Sequence, residues 1–231
     1  MKFKSKLIPG LFIKRYKRFF VDVKTNSEII TAHCPNTGSM LGLLKKNNKV
    51  WLSKSNNLNR KLKFTLEIIK VNKSKVGVNT HSTNKIVHHA LKNNFFKQFS
   101  KILNIKPEVK FNKKTRFDFL IEDTKDKFFI EVKNVTLSRK PGLAEFPDTI
   151  TDRGLKHINE LINAAKKGYK SYILFVVQRS DCKYFQIASD LDVKYSNLIK
   201  EAVKKKINIL CYDCKFSPKG IKLNKPLKIL I

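Results

Sequence analysis

Asp118 lies in the segment Arg116-Phe117-Asp118-Phe119-Leu120-Ile121, and thirteen residues after it comes Glu131 in Phe128-Phe129-Ile130-Glu131-Val132-Lys133. Aromatic and β-branched residues dominate both segments and polar residues 122–127 separate them, which predicts a β-hairpin. Side chains alternate along a strand. Arg116 and Asp118 then share one face of the first strand, and Glu131 and Lys133 one face of the second. Phe117, Phe119, Ile121, Ile130 and Val132 are left to face a core. Two carboxylates and an ammonium group projecting together can hold a hard divalent cation, Mg2+ or Mn2+, beside a phosphate. Asp118 and Glu131 are the expected metal ligands, and Lys133 would position water and stabilise charge at phosphorus. The charged outer face of an ordinary hairpin would show the same pattern. Against that reading stands the apolar run around Glu131, because unpaired charge in a buried strand is costly.

The elements around this hairpin have a definite order. A helix is predicted over 84–91, with Ile86, Val87, Ala90 and Leu91 on one face and Thr83 or Asn84 as its cap. Strands follow at 108–111, 116–121 and 128–137. A helix is predicted over 151–167, with Leu155, Ile158, Leu161, Ile162 and Ala165 on its apolar face, capped by Thr151 or Asp152 and ended by Gly168. A strand at 172–178, a helix at 195–205 and a strand at 207–212 complete the series. The order αβββαβ, with Asp118…Glu131-Val132-Lys133 on its central hairpin, resembles the PD-(D/E)XK nuclease fold. In several nucleases of that fold a polar side chain enters the site from the next strand, and the resemblance gives that role to Gln178. The first 80 residues instead offer five short strands, at 19–23, 28–32, 49–52, 64–69 and 76–79, which suit an OB-like barrel. The expectation is a mixed α/β chain: an OB-like β-barrel over 1–82 and a nuclease-like domain over 83–231.

The formal net charge of +31 points to a polyanionic partner, nucleic acid. Only seven of the 49 basic residues are arginine, and Asn and Ile are abundant, as an AT-rich genome imposes through its codons. Lysine is therefore partly background, and the arginines are the more selective signal because their planar fork grips phosphate. No apolar run reaches the roughly 20 residues that span a bilayer, and residues 1–10 lack the apolar stretch of a secretory signal. A cytoplasmic protein without membrane or organic-cofactor chemistry is expected. Cys211-Tyr212-Asp213-Cys214 is a lone C-x-x-C with no second pair to complete a zinc site. Incidental reduced thiols are the simpler reading of the four cysteines.

Three further segments carry chemistry. Arg15-Tyr16-Lys17-Arg18-Phe19-Phe20 interleaves cations with aromatics, a mixture fit for phosphate contact and base stacking, though a solvated strand edge would look the same. The loop His33-Cys34-Pro35-Asn36-Thr37-Gly38-Ser39-Met40 offers donors from Asn36 onward, and a plain turn explains it equally. The segment from Phe146 to His157 leads into a helix whose first turns hold Arg153, Lys156 and His157, where phosphate is well received. The expected nucleic-acid contacts are thus Arg15, Lys17, Arg18, Asn36, Arg116, Arg153, Lys156 and His157.

These segments resemble, in order and over essentially the whole chain, the sugar fermentation stimulation protein family of bacteria and archaea. The loop 33–40 and the Phe-Pro-Asp…Arg-Gly-x-Lys-His segment at 146–157 carry most of that resemblance. It implies an N-terminal OB-like domain, a C-terminal PD-(D/E)XK-like domain, DNA binding without marked sequence preference, and a regulatory link to sugar metabolism. At His89 the family usually has Glu, and a histidine there favours softer ions than Mg2+. Three functions follow: sequence-tolerant DNA binding, a Mg2+- or Mn2+-dependent nuclease acting through Asp118, Glu131 and Lys133, and last a sequence-specific regulator, for which no helix-turn-helix is visible. Barrels of this type also bind RNA.

Overall fold

The structure, a computed structural model, describes residues 1–230. It begins with six strands: β1 (Ile8–Tyr16), β2 (Phe20–Lys24), β3 (Ile29–His33), β4 (Lys49–Lys54), β5 (Phe64–Val71) and β6 (Ser74–Gly77). They run in the order β3-β2-β1-β4-β5-β6, and a parallel bridge between His33 and Thr65 closes β3 onto β5. Closure leaves no free edge among the first five strands. Phe12, Val21, Val23, Val50, Leu52 and Leu66 fill the interior. The strand β1 is additional to those predicted. Its Pro9-Gly10 pair reads as a turn in sequence, but Gly10 is there because a Cβ would lie 2.4 Å from Val23 and 2.9 Å from the Lys24 carbonyl oxygen.

The second unit opens with a 3-10 turn, Thr80–Ser82, leading into α1 (Thr83–Lys92). Then come β7 (Ile102–Asn112), β8 (Thr115–Asp123), β9 (Lys127–Val135), β10 (Leu137–Lys140), β11 (Leu143–Phe146) and α2 (Asp152–Lys166). The chain ends with β12 (Lys170–Val177), β13 (Tyr184–Ile187), α3 (Val193–Lys204), β14 (Asn208–Ser217), β15 (Gly220–Pro226) and β16 (Lys228–Leu230). The main sheet has the order β15-β14-β12-β9-β8-β7. β12 lies parallel to both β9 and β14 at its centre, which is why Ser171–Val177 is buried throughout and reads as an unbroken apolar run. α2 and α3 cover one face through Ile158, Leu161 and Ile199, and α1 covers the other through Ile86, Val87 and Leu91. The element order α1-β7-β8-β9-α2-β12 is the expected αβββαβ core.

Two local expectations are corrected. The segment 128–137 is two strands, broken at the buried Thr136, whose carbonyl accepts from Arg179 Nη1 at 3.1 Å. The second strand, β10, belongs to a small sheet, β10-β11-β13-β16, whose strands of three or four residues are too short for any periodicity to show. Neither Thr83 nor Asn84 caps α1. Its N-cap is Ser82, and both side chains reach across to other strands. Thr151 caps α2 by accepting from Gly154 N at 3.1 Å. No described helix is long and apolar enough to cross a membrane.

The barrel and the second unit are joined at Gln178. Its carbonyl accepts from Gly77 N at 2.9 Å, and its Nε2 donates to Thr83 Oγ1 at 3.1 Å and Asn134 Oδ1 at 2.6 Å. Glycine leaves room for this approach, because a Cβ at Gly77 would lie 2.2 Å from Gln178 Oε1 and the Gln178 side chain would have to shift.

Candidate functional site

β8 and β9 pair from Glu122↔Lys127 to Phe119↔Ile130, and there the ladder ends. Asp118 and Glu131 are the next residue on each strand, so the two carboxylates stand in the fork where the strands part. The Asp118 carboxylate fills part of that gap: Oδ2 accepts from Val132 N at 2.7 Å, and Oδ1 accepts from Asn84 Nδ2 of α1 at 2.7 Å. Glu131 is 3% exposed. Its Oε1 accepts from Lys133 Nζ at 2.9 Å and also meets His157 Nδ1 of α2. Its Oε2 is buried with no hydrogen-bond partner among the described residues.

The two acids are driven in opposite directions. Burial, and then the charge of Glu131, push Asp118 up to about 6, against the pull of its bonds to Val132 and Asn84. Burial alone would raise Glu131 as well, but the Lys133 ammonium and the His157 bond outweigh it and hold its pKa below the ordinary glutamate value. One carboxyl that ionises reluctantly beside one that ionises readily is a common arrangement at functional sites. The donor set suits a hard divalent cation, and an orphaned carboxylate oxygen in a buried position is the kind of atom a cation would satisfy. Two carboxylates are fewer than the six or more oxygens such an ion takes, so water and phosphate oxygens must supply the rest.

Beside the fork lies a mainly basic groove of 500 Å3 lined by Lys114, Thr115, Arg116, Arg153, Lys156 and His157, with Asp152 its one acid. Thus α2 delivers three of the expected nucleic-acid residues to one place and the start of β8 delivers a fourth, Arg116. Lys156 Nζ donates to the Lys114 carbonyl at 2.7 Å, while Arg116 meets only the exposed Glu108 carboxylate at 3.6 Å. Lys114 escaped the sequence reading because a lysine pair, Lys113-Lys114, in a loop of this lysine-rich chain carries no signal.

The other expected contacts, Arg15, Lys17, Arg18 and Asn36, form a separate group on the barrel. Arg15 is spent on structure, donating to the carbonyls of Arg18, Gly38 and Asn36 at 2.7, 3.0 and 2.6 Å. Asn36 is buried, donating to the Val78 carbonyl and accepting from Gly38 N. Lys17 and Arg18 are exposed at a turn where both have positive φ. Arg18, Asn36 and Asp148 line a 460 Å3 cleft between barrel and second unit. Two motifs noticed separately in sequence meet there: Asp148 Oδ2 accepts from Met40 N at 3.2 Å, and its carbonyl accepts from Ser39 Oγ at 3.0 Å.

Three expectations fail on placement. Gln178 does not enter the fork: Ile173, not Gln178, is the β12 residue beside Glu131, and Gln178 is fully buried at the domain junction. His89 does not replace an acid at the fork, because it is exposed and its nearest charges are the N-terminal amine, Lys2 and Lys222. The α1 residue that reaches Asp118 is Asn84, and His88 stacks on Phe119 one turn later. Phe117 does not share a core with Phe119, Ile121, Ile130 and Val132; it packs under α2 and they pack under α1. The thiols of Cys211 and Cys214 likewise lie in opposite layers and cannot chelate one ion.

Two family models match in tandem, the SfsA N-terminal OB domain over residues 13–78 and the sugar fermentation stimulation protein RE domain over residues 81–220. The chain belongs to the sugar fermentation stimulation protein family. A homolog of that name from Pelagibacter ubique is 56% identical over 230 residues, covering 100% of this chain and 99% of the relative. One from Maricaulis maris is 38% identical over 231 residues, covering 99% and 98%. The structure of Pyrococcus furiosus SfsA in complex with Ca2+ matches with a TM-score of 0.91 over 100% of this chain and 98% of that one; at 24% identity this speaks for the fold. In SfsA terms, the fork and its basic groove lie within the RE domain, and Arg15 to Asn36 within the OB domain.

Proposed function

We propose that this protein binds DNA with little sequence preference, laying the phosphate backbone along the groove of Lys114, Arg116, Arg153 and Lys156 and across the fork at Asp118, Glu131 and Lys133. The observation that carries the reading is the meeting of groove and fork at His157, which lines the one and bonds Glu131 of the other. Phosphate contacts fix a protein on the duplex without reading its sequence. A Mg2+ or Mn2+ ion held by Asp118 and Glu131 would neutralise phosphate charge and polarise a phosphoryl oxygen, and the Ca2+ named with the Pyrococcus furiosus structure supports a cation in this family. Acting from the cytoplasm, such a protein would influence sugar metabolism by occupying DNA, with no recognition helix required. Four phosphate contacts predict a log–log salt slope of about −3.6 for duplex DNA. Anisotropy titrations across a salt series test this, and an affinity indifferent to salt refutes it.

The orphaned Glu131 Oε2 and the opposed acidities of the two carboxyls favour a second reading, metal-dependent phosphodiester cleavage. Lys133 would hold the attacking water and stabilise developing charge, and His157 would keep Glu131 oriented. Nicking of duplex, single-stranded and branched DNA by the wild type, absent in Lys133→Ala and Asp118→Asn, is the expected result. Equal residual cleavage in all three would reduce the activity to contamination.

A further inference from the structure

A second cationic groove lies on the barrel side of α1, apart from both sites above. It encloses 550 Å3 between the N-terminal residues 1–4, the barrel loop at 53–60 and the start of α1. Lys2, Lys4, Lys54, Arg60 and Lys85 line it, together with His33 and His81. Glu67 is the only acid lining it among the described residues. That carboxylate is buried and committed, with Oε1 accepting from Ser53 Oγ at 2.7 Å and Oε2 from Asn79 Nδ2 at 2.9 Å. The groove therefore presents uncompensated positive charge. Arg60, one of the chain's few arginines, has its Nη2 3.2 Å from His33 Nδ1 and forms no carboxylate ion pair among the described residues. Burial first, then Arg60 and His81, hold His33 below its ordinary pKa, which reports the same positive field.

We propose that this groove is a binding track for single-stranded nucleic acid. The proposal rests on the nucleic-acid reading above and adds to it where a single strand runs. A duplex presents phosphates outward and keeps its bases stacked. This recess instead combines cations with the amides of Asn56 and Asn57, which can bond exposed base edges. Between the lining residues Asn57 and Arg60, Leu58 is 86% exposed. Lys85, at the start of α1, lines the groove, and its neighbour Asn84 donates to Asp118.

The test is fluorescence anisotropy on the full chain, using a labelled dT oligomer of about 16 nucleotides, near the upper site size of one OB fold, and a duplex of mixed sequence. Lysine is so abundant that any charge loss weakens binding, so Lys54→Gln/Arg60→Gln/Lys85→Gln is compared with Lys194→Gln/Lys200→Gln/Lys204→Gln on exposed α3, which removes the same charge. The groove variant should lose at least about tenfold affinity for the dT oligomer relative to the α3 control, with its salt slope reduced by about 2 for three lost contacts, while duplex affinity follows the control. Equal losses in the two variants, or a groove variant that loses duplex and single strand alike, would overturn the track. If the wild type binds duplex but not the dT oligomer, the track alone falls; if it binds neither, the DNA reading falls with it.

Discussion

Asp118→Asn should stabilise the metal-free protein while abolishing its response to divalent cations. The substitution keeps the local bonds: Asn Oδ1 can accept from Val132 N, and the Asn84 amide can turn so that its oxygen accepts from the new Nδ2. What it removes is a charge that burial and Glu131 oppose. The Asp118 carboxyl rises from 3.8 to about 6, and roughly two units at about 1.4 kcal/mol each is ~3 kcal/mol of penalty on the ionised form. Burying the replacement amide returns part of this, leaving a net gain of about 1–2 kcal/mol at pH 7. The sign follows from linkage. Between the unfolded and folded pKa values the folded state binds more protons, so metal-free wild-type stability falls as pH rises through that window. The penalty is absent below it and complete above it, and the variant lacks the fall. Urea unfolding in EDTA from pH 5 to 8, repeated with Mn2+ or Ca2+, measures both effects. Cation should stabilise the wild type according to its concentration over Kd, and progressively less as pH drops through 6. A variant less stable than wild type in EDTA at pH 7, or one that keeps the full cation-induced gain, would refute the reasoning.

Neutralising three groove cations by Arg116→Gln/Arg153→Gln/Lys156→Gln should cut the duplex salt slope by about 2.7 without changing sequence preference, as titrations on unrelated duplexes would show. Arg139→Met should cost about 3–5 kcal/mol in urea unfolding, because Glu145, 2% exposed, would keep a buried charge after losing its bonds from Arg139 Nε and Nη2 at 3.0 and 2.7 Å. Gly77→Ala should destabilise the junction by about 1–3 kcal/mol by forcing Gln178 out of place, seen as faster limited proteolysis between barrel and second unit.

The hairpin was legible because its information is local: a period of two places Asp118 and Glu131 on strands, and the αβββαβ order follows from apolar periodicity in α1, α2 and β12. Partnership was not legible. That Asn84 holds Asp118, that His157 meets Glu131, and that Asp148 clasps Ser39 and Met40 are contacts between residues 26 to 109 positions apart. His89 and Gln178 failed for the same reason. His89 sits on α1 and Gln178 just past the end of β12, but one helical step or five residues along the chain turns a side chain from the site to solvent or to the domain junction. The missed strands failed for a different one: Pro9-Gly10 mimics a turn, and strands of three or four residues carry too few alternations to count.

Net charge alone could never have located the site, since most of the lysines are exposed and would serve any polyanion equally. Burial discriminates. Lys133 has a side chain only 11% exposed, and it is set against a Glu131 side chain 4% exposed. Taking such groups out of water is expensive, and in many proteins an apolar replacement of similar shape would be as stable or more so. The fork adds a second acid that burial resists ionising and an oxygen that nothing satisfies. Neither of these last two favours folding, yet bonds from Asn84, Val132, Lys133 and His157 hold the groups in place. Buried groups held fixed at the point where two strands part are what the proposed function requires, a place for a ligand that brings positive charge and oxygen atoms together, a cation on a phosphate.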